Sequence, residues 1–191
     1  MKSEHLAGST AHNKAAYIAA QHDYLQRVAK HCDYAITLQT SLRTCGIKAK
    51  TMEDRLYKAQ ASVRQLRNRL NRLLTGNGYK RNAAYLPVFV AAIEGTTNDY
   101  DLNRTLHIHI ALGNTGFEAN EDTRRLLEDG IRQLWTQTEV GTADVRVDRL
   151  TEGTERRWMD YIGKEAHTGR TGNTGVIDYS NTQIPAHLLD D

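Results

Sequence analysis

Little in this chain points to covalent cross-links, membranes or nucleotide hydrolysis. It holds two cysteines, Cys32 and Cys45, too far apart for a CxxC pair and too few for a disulfide framework. A reducing compartment is the simplest setting. No apolar run reaches the length that spans a bilayer, and Met1-Lys2-Ser3-Glu4-His5 leads into no signal-peptide core. The protein is therefore expected to work in the compartment where it is made, without a membrane partner. No GxxxxGK[ST] loop occurs, so no helicase of the P-loop type is encoded. No internal repeat is visible either.

The formal net charge of +2 is small, but the charges are unevenly spread. From Arg43 to Arg81 nearly every charge is basic: Lys48, Lys50, Arg55, Lys58, Arg64, Arg67, Arg69, Arg72 and Lys80 lie between, against Glu53 and Asp54. From Glu94 onward acidic residues outnumber basic ones. Such asymmetry suits a surface that faces a polyanion, and it equally suits a solvated helix face.

Apolar spacing divides the chain into residues 1–32, 33–166 and 167–191. Residues 1–12 read as a polar tail. Asn13 to His31 follows as a helix, with Ala16, Ala20, Tyr24 and Val28 at helical spacing. Tyr34 to Thr40 alternates as a strand. Thr51 and Asp54 resemble a capping box, and Met52, Leu56, Ala59, Val63, Leu66, Leu70 and Leu73 then form an apolar stripe. That helix is expected to lie on a sheet and to end at Gly76-Asn77-Gly78. Tyr85–Glu94 and Thr105–Leu112 read as strands joined by a long polar connection. Asn120–Gln137 reads as a helix, Ala143–Leu150 as a strand and Thr154 to about Ala166 as a last helix. From His167 a long loop is expected. The order predicts an α+β fold: a ferredoxin-like or RRM-like split βαβ sandwich, with helices on one face of an antiparallel sheet. An N-terminal helix and a C-terminal tyrosine-bearing helix are added to it.

Within TLHIHIAL, His107 and His109 must share one face of their strand while Leu106, Ile108 and Ile110 take the other. The two imidazoles are thus aimed away from the core, together, as two metal ligands would be. Ala111 rules out an HxHxD pattern, and no glutamate follows closely as a cupin would need. Glu94 is the one charge in YLPVFVAAIE and ends the neighbouring strand, where it can lie beside His107 or His109. Taken alone, such a carboxylate is a solvated strand end. Opposite paired histidines it completes a ligand set with open positions. Tyr161 and Lys164 are i, i+3 neighbours on a helix face. A phenol of pKa about 10 is a poor nucleophile, and adjacent positive charge favours the phenolate.

The strand YAITLQT, the hairpin of Glu94 with LHIHIAL, and the later YIGK together resemble the three motifs of HUH endonucleases. The tyrosine follows the histidine strand, as in rolling-circle replication initiators of the single-tyrosine class. The resemblance covers roughly residues 33 to 166. It implies that His107, His109 and Glu94 bind a divalent metal, Mg²⁺ or Mn²⁺. It also implies that Tyr161 is the nucleophile and Lys164 its helper. The implied activity is sequence-specific nicking and joining of single-stranded DNA through a 5′-phosphotyrosine at a phage, plasmid or mobile-element origin. The implied partners are a helicase and a polymerase in the cytoplasm of a bacterial or archaeal cell. Arg64, Arg67, Arg69 and Arg72 are then expected on DNA phosphates. A single-strand transposase and a non-catalytic RRM-like nucleic-acid module are the alternative readings, and Tyr179 is the alternative nucleophile.

Overall fold

The computed structural model describes residues 4–95, 104–168 and 177–189, with side chains of residues 4–14, Tyr79 and 164–168 left aside. The connection expected from Gly95 to Arg104 falls mostly outside the described residues. The elements are α1 (Glu4–Ala29), β1 (Tyr34–Arg43), α2 (Ala49–Thr75), β2 (Val88–Glu94), β3 (Thr105–Gly113), α3 (Glu121–Thr136), β4 (Gly141–Arg149) and α4 (Thr154–Thr168). The strands form one antiparallel sheet in the order β2-β3-β1-β4. This is the split βαβ sandwich that the pattern of elements predicted.

Alternation in the strands sorts their side chains into two cores. Ile36 and Leu38 of β1, Ala91 and Ile93 of β2, Leu106, Ile108 and Ile110 of β3, and Val145 and Val147 of β4 pack against α2 and α3. α2 contributes Ala59, Val63, Leu66 and Leu70; α3 contributes Leu127, Ile131 and Trp135. Each fully buried Val, Leu or Ile among them stabilises by about 1.5–3 kcal/mol. On the opposite face, Val88, Val90 and Ala92 of β2 and Ala111 of β3 meet Leu25, Val28 and Ala29 of α1 and Met159 and Ile162 of α4. The two added helices thus cover the β2–β3 half of that face. On the β1–β4 half, Ser41, Asp144, Arg146 and Asp148 remain exposed.

Several boundaries differ from the sequence expectation. α1 begins at Glu4 rather than Asn13, since Ala7 and Ala11 favour helix and no proline interrupts the stretch. α2 begins at Ala49, with Lys48 in extended conformation (φ −72°, ψ 154°) as its cap and no side-chain capping bond. Thr51 is therefore inside the helix and forms no capping box, because Ala49 and Lys50 carry the helix upstream of it. Gly76 ends α2 at φ 58°, as expected of a residue without Cβ. β2 starts at Val88, not Tyr85: Ala83–Tyr85 is a short 3-10 turn, and Pro87 has no N–H to give a ladder.

Both sheet edges are covered. Along β4, Arg124 Nη1 donates to the Val147 carbonyl at 2.9 Å, Arg132 donates to the Ala143 and Val145 carbonyls at 3.2 and 3.1 Å, and Glu128 accepts from the Val147 N–H at 3.3 Å. Along β2, the C-terminal segment expected to be loop pairs instead: Gln183 and Phe89 exchange backbone bonds at 2.7 and 2.8 Å, and the Asp178 N–H donates to the Ala91 carbonyl at 2.8 Å. Gln183 and Asn71 of α2 exchange side-chain amide bonds. Unpaired strand edges template aggregation, and both devices remove that hazard.

Candidate active site

Registry across the sheet assembles the site. Glu94 lies opposite His107, and Ala92 opposite His109, across the β2–β3 ladder. Across β3–β1, His107 faces Gln39 and His109 faces Thr37, and Thr37 in turn faces Arg146 of β4. One row therefore reads Ala92, His109, Thr37, Arg146, and the next Glu94, His107, Gln39. Glu94 Oε2 lies 3.4 Å from Nε2 of each imidazole. The three side chains can hold a metal ion, with one ligand atom from each and all within 4.8 Å of one another.

The expected outward aim of both histidines needs correction for His109. It points away from the main core but into the second one, and it is only 3% exposed. α4 lies over it: the Trp158 and Tyr161 rings meet the His109 ring edge-on, at 5.3 and 5.1 Å between centroids. His107 is partly open, and the two imidazoles are themselves edge-to-face at 4.9 Å. Glu94 is 1% exposed, so solvent does little to stabilise its charge and a cation at this point would.

His109 Nδ1 lies 3.2 Å from Thr37 Oγ1, and His107 Nδ1 lies 3.4 Å from the Thr105 carbonyl. With a proton on each Nδ1, both contacts are hydrogen bonds and both Nε2 lone pairs face Glu94. Buried His109 Nε2 has no hydrogen-bond partner among the described residues. A nitrogen lone pair beside a buried carboxylate is an arrangement that a divalent cation satisfies. Gly95 permits it: at φ 91°, a Cβ there would stand 2.7 Å from the Thr105 carbonyl oxygen that holds His107.

α4 starts five residues after β4 ends and brings Tyr161 to the cluster, 41% exposed. Its ring stacks on Trp158 at 5.4 Å and 14°. Lys164 lies one turn further along α4, and its side chain falls outside the described residues. Tyr179 lies in the segment that covers the β2 edge, where its ring meets Tyr24 of α1 at 6.3 Å. Burial, then a hydrogen bond with Tyr17, pushes its phenol up from the ordinary range.

The basic stripe of α2 is not brought to this cluster, because α2 packs on the other face of the sheet. Arg64 and Arg72 are exposed there. Arg67 Nη1 donates to the Asn181 carbonyl at 3.2 Å, and Arg69 Nη1 to Gln137 Oε1 at 3.3 Å. On the cluster's own face the nearest cation in the row is Arg146, two strands from His109 or roughly 10 Å at ordinary strand spacing. It pairs with Asp148 at 2.8 Å. Thr37, Gly95, Arg146 and Trp158 were not read as site residues from the sequence. Two carried a local signal: Arg146 alternates with Val145 and Val147, and Trp158 stands three residues before Tyr161 on one helix face. No helix among the described residues is long and apolar enough to cross a membrane. No family model matches the chain, and no curated protein or solved structure matches it, so function rests on the chemistry of the site itself.

Proposed function

We propose that this chain is a metal-dependent endonuclease that nicks and rejoins single-stranded DNA through Tyr161. The observation that carries the reading is the convergence of Glu94, His107 and His109 on one point with the Tyr161 ring 5.1 Å from His109. A divalent ion held by these three residues, Mg²⁺ or Mn²⁺, supplies Lewis acidity toward a phosphate oxygen. Tyr161 Oη forms a bond to phosphorus as the bond from phosphorus to the 3′-oxygen breaks. The phenol proton passes to water, and the 3′-oxygen gains a proton to leave a 3′-OH. The 5′ end stays on Tyr161, and attack by a 3′-OH reverses the step and rejoins the strand. Lys164, as in the HUH pattern, helps to hold the phosphate.

The open β1–β4 half of the face, with Thr37, Gln39 and Arg146, gives a strand a path to the cluster. Arg64 and Arg72 then contact phosphates only of DNA that continues around the sandwich. An RRM-like reader would present aromatic side chains on the central strands β3 and β1, and this face offers His107, His109 and Glu94 instead, which favours the nuclease. The cell context is an initiator of rolling-circle replication for a phage, plasmid or mobile element in a bacterial or archaeal cytoplasm. It would act at an origin together with a separate helicase and polymerase.

The test is incubation with labelled single-stranded DNA and Mn²⁺, then denaturing electrophoresis and mass spectrometry. The expected result is a protein–DNA adduct on the peptide containing Tyr161, absent from Tyr161→Phe. An adduct on Tyr179, or no adduct at all, refutes the reading.

A further inference from the structure

We propose that Trp158 is the positioning residue that sets the Tyr161 hydroxyl against the Glu94–His107–His109 cluster, an inference that rests on Tyr161 being the nucleophile. Three contacts carry it. Trp158 precedes Tyr161 by three residues and so shares its helix face, and the two rings stack at 5.4 Å and 14°. The indole N–H donates to the Ile110 carbonyl at 3.2 Å, which ties α4 to the strand that bears both histidines. The indole ring also meets the His109 ring edge-on, at 5.3 Å and 87°. A single side chain thus touches the nucleophile and a metal ligand, and its polar atom is anchored to the strand that carries that ligand.

The physical need is specific. A tyrosine 41% exposed on a helix can occupy other staggered rotamers, and a change of rotamer moves the phenol oxygen relative to the cluster. In-line attack requires that oxygen within about 3–3.5 Å of phosphorus. The stack removes competing rotamers before DNA arrives, so the ordering entropy is spent during folding. Leucine would fill part of the space but offers neither a planar face nor an N–H donor.

The test uses the full chain with Mn²⁺ and a fluorescent pool of single-stranded oligonucleotides, following adduct formation as DNA concentration rises. In Trp158→Leu the limiting adduct rate falls about 10- to 100-fold. The half-saturating DNA concentration and Mn²⁺ affinity by calorimetry stay at wild-type values. Trp158→Phe keeps a stacking ring and recovers most of the rate. A wild-type limiting rate in Trp158→Leu, or a loss confined to the half-saturating concentration, overturns the proposal.

Carbon-13 tyrosine NMR of the wild-type protein tests the stack without any fold-perturbing change, with Tyr161 assigned by its absence in Tyr161→Phe. A ring resonance shifted upfield by the indole is expected, and one at the position of an exposed tyrosine overturns the proposal. Should wild-type protein give no adduct, or Tyr161→Phe a full yield, the nucleophile reading falls and the role of Trp158 with it. The upfield resonance would persist in that case, which separates the two failures.

Discussion

Thr37 and His109 face each other across β1 and β3, and the threonine hydroxyl lies 3.2 Å from the imidazole Nδ1. A hydrogen bond from Nδ1 to that hydroxyl leaves Nε2 of His109 available to a cation. Thr37→Val keeps the shape and removes that bond. Such outer partners are typically worth about 10- to 100-fold in metal affinity, and Mn²⁺ affinity by calorimetry is expected to drop by that factor while the melting temperature barely moves. His107→Ala, which removes one of the three candidate ligands outright, is expected to cost more. Equal Mn²⁺ affinity in Thr37→Val and wild type would show that the threonine does not orient His109.

Gly95 links Glu94 to the backbone that meets His107. With φ at 91° and the Thr105 carbonyl oxygen 2.7 Å from an added Cβ, Gly95→Ala must shift one or the other. The expected cost is about 1–3 kcal/mol of stability, accompanied by weaker Mn²⁺ binding. Chemical denaturation and calorimetry on the same protein measure both. A stable Gly95→Ala protein with full metal affinity would contradict the close approach.

The paired amides of Asn71 and Gln183 fasten the C-terminal segment to α2, beside the backbone pairing with Phe89. Removing Gln183 takes both bonds from the Asn71 amide, and removing Asn71 leaves Gln183 Oε1 without its bond while Nε2 keeps the Pro87 carbonyl. Asn71→Ala and Gln183→Ala are each expected to cost about 1–3 kcal/mol, and the double variant less than their sum. A double-mutant cycle by denaturant melts decides it, and strict additivity would deny the coupling. Light scattering on the double variant is also expected to show self-association, as the β2 edge opens.

Glu128 is the acid-sensitive point of the β4 edge. Burial raises its carboxyl, but hydrogen bonds from Arg132, the Val147 N–H and Arg124 outweigh that, leaving it below the ordinary carboxylate range. A folded-state pKa that is depressed adds stability above the unfolded value and loses it as pH falls through the folded one. Glu128→Gln is therefore expected to be less stable than wild type at neutral pH. The gap should narrow as pH drops below about 4. Urea melts from pH 7 to pH 3 test this, and a gap that widens in acid would reverse the sign.

The sequence by itself determined the element order, the sorting of β3 into Leu106, Ile108 and Ile110 on one face with His107 and His109 on the other, and the stripe that seats α2. These follow from periods of two and 3.6 residues, which any short window of the chain displays. It also named Glu94 as neighbour to the histidines, because a hairpin pairs strands that are consecutive in sequence. Tertiary structure alone decided that His109 is covered by Trp158 and Tyr161, that the Thr37 hydroxyl meets His109 and Gly95 packs against the Thr105 carbonyl beside His107, and that α2's arginines lie across the sheet from the cluster. It also turned the tail into a cover for the β2 edge. Each of those depends on residues distant in sequence meeting in space, and on the face of the sheet to which a helix returns. No local periodicity encodes either.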